Sequence, residues 1–172
     1  MIDTYIAGQI LGFVSYGLGI ATFYQKNDKR LKILMLALNV NHLIHFLLLG
    51  SLISALASAL SAVRTTAAIY TRSKVVALIF IALSLILGAL VAKDASQLWP
   101  ILGTAIGTYS LFMLQGIAMR IGFLVGAVCW LTNNIMVGSM GGALLEATLL
   151  ITNLSTIFRL TRDGRHRAAH NA

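Results

Sequence analysis

LISALASALSAVRTTAAIY, residues 52–70, is nineteen residues long, long enough to approach the span of a bilayer, and carries one charge, Arg64, in its interior. A helix rises about 1.5 Å per residue, so a hydrocarbon core of ~30 Å takes roughly 20 apolar residues to cross. A guanidinium at such depth is costly unless it is solvated, paired or used, so Arg64 marks a candidate membrane-embedded site. The alternatives at this point are a structural cation bonded to carbonyls and to Glu146, or a group that contacts an anion or substrate.

The remainder of the 172 residues reads the same way. Apolar residues make up 58% of the chain and charged residues 10%, which leaves too little polar surface for a soluble domain. Apolar segments fall at 4–23, 31–49, 51–70, 75–92, 98–115, 118–137 and 142–158, separated by short connections. They predict an all-α membrane protein of seven transmembrane helices and no separate soluble catalytic domain. The segments are too long and continuous for an alternating barrel strand. Pro100 sits near a helix start, where its missing donor does no harm. The opening Met1-Ile2-Asp3 lacks a basic leader region, so the first segment is expected to remain as a helix. Cys129, the single cysteine, excludes an intrachain disulfide and reads as a small buried hydrophobe.

Charge placement orients this bundle. Lys26, Lys29, Arg30, Lys32, Arg72, Lys74, Arg120, Arg159, Arg162, Arg165 and Arg167 share one side if there are seven crossings, against Lys93 alone on the other. The positive-inside rule then expects the amino terminus outside and the carboxyl terminus in the cytoplasm. The formal charge of +8 is accounted for by this asymmetry, with anionic lipid headgroups rather than nucleic acid as the partner of the basic tail.

Residues 50–56 (GSLISAL) align with 138–144 (GSMGGAL) at an offset of 88, Ile10-Leu11-Gly12 matches Ile101-Leu102-Gly103, and Gln25 matches Gln115. The expected organisation is a first three-helix bundle (1–72), a linker helix (73–96), a second three-helix bundle (97–160) and a basic tail (161–172). With a linker helix between them the two triplets run parallel, as in some secondary transporters whose site lies between repeats.

Sorted by depth, His45, Asn133 and Glu146 lie about 7 Å inside one set of helix ends. His42, Arg64, Thr65, Trp130 and Asn153 lie deeper. Under the offset, His42 pairs with Trp130, and Arg64 and Thr65 pair with Thr152 and Asn153. Asn41 and Asn134 point partly elsewhere and read as bridges between helices. The candidate substrate-binding set is therefore His42, Arg64, Thr65, Trp130, Asn133, Glu146 and Asn153, with His45 and Glu146 as candidates for proton coupling. No zinc, haem, phosphate-loop or hydrolase pattern occurs, so no cofactor, metal or catalytic activity is expected.

The runs Leu60-Ser61-Ala62-Val63-Arg64-Thr65 and Tyr70-Thr71-Arg72-Ser73, with Met119-Arg120, Cys129-Trp130, Asn134 and Gly138-Ser139-Met140-Gly141-Gly142, resemble the YgjV family of bacterial inner-membrane proteins. The resemblance covers the chain up to the basic tail and implies a multi-pass protein of the bacterial inner (cytoplasmic) membrane. The helix layout is also similar to that of SWEET and PnuC transporters. In SWEET proteins two pocket asparagines come from the third and seventh helices; Asn153 matches the second, whereas Thr65 stands in the place of the first. The prolines that bend SWEET helices are represented here by Pro100 alone, and Trp99 and Trp130 do not reproduce a PnuC aromatic pocket. The leading functional expectation is a transporter or facilitator of a small polar or anionic solute. The alternative is a receptor, adaptor or structural membrane protein, for which the KDEL-receptor layout is an architectural precedent. Apolar faces and glycine contacts permit a homodimer.

Overall fold

The computed structural model describes residues 3–170, with side chains through residue 163, so Arg165 and Arg167 of the basic tail lie outside the described side chains. Among the described residues the chain is all-α. The helices are α1 (Thr4–Tyr24), α2 (Asp28–Leu48), α3 (Leu52–Tyr70), α4 (Lys74–Val91), α5 (Trp99–Met113), α6 (Gly116–Met136) and α7 (Met140–His170), with a 3-10 turn at Ala95–Leu98 before α5. All but α5 contain a stretch long and apolar enough to cross a membrane.

At 15 residues, α5 is about 22 Å long, short of the ~30 Å core. Its surroundings explain how it persists. It packs between α3 and α6, with α4 laid along it, and most of its residues are buried. Backbone groups near its ends therefore meet protein rather than lipid, which relaxes the length requirement. Helix α4 is the opposite case: only Ala77, Ser84 and Gly88 are buried, and Val75, Leu78, Ile79, Leu85, Ile86 and Leu90 are exposed. An apolar helix exposed over most of its surface suits a lipid-facing position.

The other six helices form a ring. Each packs on the next in the order α1, α2, α3, α5, α6, α7, and α7 closes back on α1. Two tight turns are built alike. Gly50 (φ 74°) and Gly138 (φ 69°) adopt left-handed backbone, which costs glycine little. The amide of Ser51 donates to the Phe46 carbonyl and that of Ser139 to the Asn134 carbonyl, closing α2 and α6 with the same hydrogen-bond pattern. Short turns force antiparallel neighbours and gather helix ends into two poles. One holds the α1–α2 turn, the starts of α2 and α6 and the far end of α7. The other holds Gly50, Lys93 and Gly138.

Glycines let the seams close without a hydrophobic drive between helices. A Cβ on Gly141 would stand 2.5 Å from the Gly12 carbonyl carbon, so the α1 and α7 backbones meet there directly. Beside Gly17, by contrast, a Cβ would meet nothing within 4 Å. Replacing Gly141 by Ala forces backbone apart and is expected to destabilise by about 1–3 kcal/mol. Gly17→Ala is expected to leave the melting temperature unchanged or raised, and thermal denaturation of the two purified variants in detergent checks the contrast.

Candidate functional site

Arg64 is held from α5. Its Nη1 donates to the Thr104 carbonyl at 3.0 Å and to Thr108 Oγ1 at 3.2 Å, and Thr108 Oγ1 donates in turn to the same carbonyl at 2.7 Å. Gly107 makes room, since a Cβ there would lie 2.8 Å from Nη1. One turn away, a Cβ on Gly103 would lie 2.7 Å from the Trp130 ring. Two glycines four residues apart thus give α5 a flat face on which a guanidinium and an indole lie. Arg64 is 4% exposed, and its Nε has no partner among the described residues.

That face borders a cavity of about 70 Å³, walled by residues from all six ring helices. Phe23 comes from α1, Asn39 and His42 from α2, Arg64 from α3, Gly103 and Gly107 from α5, Trp130 from α6 and Glu146 from α7. Glu146 is 5% exposed and makes no hydrogen bond or ion pair with any described residue, Arg64 included. The His42 and Trp130 rings stack at 6.3 Å between centroids, and Phe46 stacks on Trp130 at 5.8 Å. Toward the other pole, Phe23 and Phe123 meet edge to face at 5.6 Å. At ~10–15 Å³ of such space per water-sized occupant, the cavity takes a small solute or a few waters.

Of the residues singled out in the sequence, His42, Arg64, Trp130 and Glu146 converge on this cavity, and Thr65, Asn133, Asn153 and His45 lie away from it. Thr65 sits behind it, its hydroxyl accepting from Asn39 Nδ2 at 3.0 Å. Asn133 lies toward the Lys93 pole, where Oδ1 accepts from Ser54 Oγ at 3.1 Å and a separate cleft with Lys93 and Gln97 begins. Asn153 lies toward the opposite pole and donates to the Arg120 carbonyl at 2.7 Å. His45 is fully buried between the Gly8 carbonyl (2.7 Å) and Ser139 Oγ (2.8 Å), so it ties α1, α2 and the α6–α7 turn together. Glu146 belongs with Arg64 rather than with His45 and Asn133, because depth counted in residues ignores which way each side chain faces. Asn41 does bridge helices, donating to the Leu11 carbonyl and Ser15 Oγ of α1, whereas Asn134 bonds the Trp130 carbonyl of its own helix.

Sequence reasoning missed Asn39, Gly103 and Gly107 as parts of this wall. The glycine spacing on α5 was a readable signal for a close approach. Asn39 carried none, being one of several asparagines in an apolar run.

Arg120 forms a second buried cationic centre, at the pole of the α1–α2 turn. It is fully buried, and its Nη2 donates to the Gln25 carbonyl at 2.8 Å and lies 3.6 Å from Asp28 Oδ1. The other Asp28 oxygen accepts from the Gly116 amide at 3.3 Å, so one carboxylate receives a helix start and a guanidinium. Nearby, Lys26 pairs with Asp163 at 2.6 Å and Arg159 lies over the Tyr24 ring. The Lys26–Asp163 pair is exposed and contributes little, whereas loss of either partner of the buried Arg120 is costly because it leaves a buried polar group uncompensated.

A model of bacterial inner membrane proteins, the YgjV family, matches residues 6–164. The chain belongs to the YgjV family. The inner membrane protein YgjV of Escherichia coli (strain K12) is 32% identical over 158 residues, covering 92% of this chain and 86% of the relative. No solved structure matches the chain. Family membership makes this a multi-pass protein of the bacterial inner membrane, in agreement with its long apolar helices.

Removing the Arg120 head group while keeping its stem leaves Asp28 and the Gln25 carbonyl without their partner. Arg120→Met is therefore expected to destabilise by about 3 kcal/mol. Chemical denaturation in detergent reads this directly, with Lys26→Met expected to change stability by less than ~1 kcal/mol.

Proposed function

We propose that this YgjV-family protein is a carrier or facilitator for a small polar or anionic solute, with the cavity between Arg64 and Glu146 as its central site. One observation carries the reading: a basic and an acidic side chain, Arg64 and Glu146, both buried, border one cavity without pairing. A purely structural role is served better by direct pairing, because each charge left apart has lost water without gaining a counter-ion.

The reading takes the chain as two parallel three-helix repeats joined by the linker helix α4. The starts of α2 and α6, and those of α3 and α7, are each 88 residues apart, and the turns at Gly50 and Gly138 share one hydrogen-bond pattern. The ring order supports it too: exchanging α1, α2, α3 for α5, α6, α7 maps each ring neighbour onto another. His42 and Trp130, equivalent under this offset, stack near the exchange axis.

In this scheme the seams between triplets act as gates. At one pole they are His45 with Ser139, Gln9 with the Gly138 carbonyl, and Ser54 with Asn133. At the other they are Arg120 with Gln25 and Asp28, Lys26 with Asp163, and Thr156 with the Phe23 carbonyl. Alternating access breaks one set while the other holds. The clustering of basic residues at the second pole supports the reading that it faces the cytoplasm, against anionic headgroups, with the amino terminus outside.

Membrane vesicles bearing the protein are expected to exceed empty vesicles in flux of some solutes from a panel of small polar and anionic compounds. Arg64→Ala is expected to fall to the empty-vesicle level. Equal flux from all three preparations across the panel removes the carrier reading in favour of a receptor or structural role.

Orientation has its own check. In a Cys129→Ala background, Lys93→Cys is expected to react with an impermeant maleimide in spheroplasts, and Lys26→Cys only after the membrane is opened. The reverse pattern contradicts the orientation.

A further inference from the structure

We propose that the central cavity takes a zwitterion the size of a small amino acid, its carboxylate on Arg64 and its ammonium on Glu146. The inference rests on the carrier reading and names the substrate class for the same site.

The wall itself states the charge requirement. Arg64 spends Nη1 on Thr104 and Thr108 and keeps Nε without a partner. Glu146 faces the same space with no partner for its carboxylate. His42 adds a buried Nε2 that is likewise unbonded. A simple anion on Arg64 leaves Glu146 facing a like charge, and a simple cation on Glu146 does the same to Arg64. An uncharged solute supplies neither counter-charge. A dipolar ion with one charge at each end answers both walls, each end forming a charge-assisted hydrogen bond with a buried side chain.

Size and shape narrow the class. A cavity of about 70 Å³ accommodates about five water-sized groups, which suits glycine or alanine and leaves no room for a long side chain. Gly107 on α5 gives the room in which the Arg64 guanidinium lies beside the cavity.

The test uses the full chain, purified in detergent, with glycine, acetate and methylammonium as probes. Glycine carries both charges, and each of the others carries one. Glycine is expected to raise the melting temperature of the wild type, whereas acetate and methylammonium leave it unchanged. Arg64→Met and Glu146→Gln are each expected to weaken glycine binding by about tenfold or more, the scale of one lost charge-assisted hydrogen bond. Glu146→Gln is expected to respond to acetate instead. The wild-type comparison needs no variant to fold. Acetate or methylammonium stabilising the wild type as well as glycine overturns the zwitterion assignment and leaves the carrier reading standing. Stabilisation by none of the three overturns the assignment as well, the two charges then being served by water alone. Stabilisation by glycine without counterflow of labelled glycine in proteoliposomes upholds the binding assignment and overturns the carrier reading.

Discussion

A guanidinium inside a bilayer has to be solvated by protein, and the interior of this molecule is arranged around that demand. Arg64 cannot use the carbonyls of its own helix, which are committed along the helical ladder. It reaches α5 instead, taking the Thr104 carbonyl and Thr108 hydroxyl. For the guanidinium to reach that backbone, α5 has to present glycine at 107. The same requirement accounts for the position of α5, which is enclosed by α3, α4 and α6 and is too short to face lipid over its full length.

Polar groups elsewhere follow a similar rule with a different consequence. His45 and Arg120 lie at opposite poles, each fully buried and each bonded to backbone or side-chain groups of several elements. They join pieces of the chain far apart in sequence, where apolar contact alone offers little preference for protein over lipid. Around the cavity the rule is left incomplete. Arg64 retains unused donor capacity and Glu146 has no partner, although both lie within one small volume. Arg120, Asn133, Asn134 and Asn153 also keep buried polar atoms without partners, so what distinguishes the cavity is that a buried acid and a buried base line the same small volume without pairing.

Much of this was legible in the linear chain. Arg64 stands out within residues 52–70 because hydrophobic runs of that length rarely carry an interior charge, and Glu146 stands out in the same way. The helix count follows from segment length, and the turns at Gly50 and Gly138 from glycine after an apolar run. Other features were not legible. Residue count along a helix gives depth but not azimuth, so counting alone groups Glu146 with His45 and Asn133 although it lines the cavity with Arg64. Thr65 and Asn153 share a register under the 88-residue offset, yet one bonds Asn39 and the other the Arg120 carbonyl. Arg120 read as a basic residue at a segment start, and only packing revealed that it is fully buried.

The chain by itself determined a membrane bundle of long apolar helices and the presence of unusual charges within it, because transfer into lipid depends on composition and length over some twenty residues. Tertiary structure decided which of those charges meet. That outcome depends on helix rotation and on glycine contacts between segments far apart in sequence, such as Gly12 and Gly141. Rotation moves a side chain from lipid to cavity without changing any local preference of the sequence. The separation of Arg64 from Glu146 across a shared cavity is therefore a property of the assembled ring and not of any one helix.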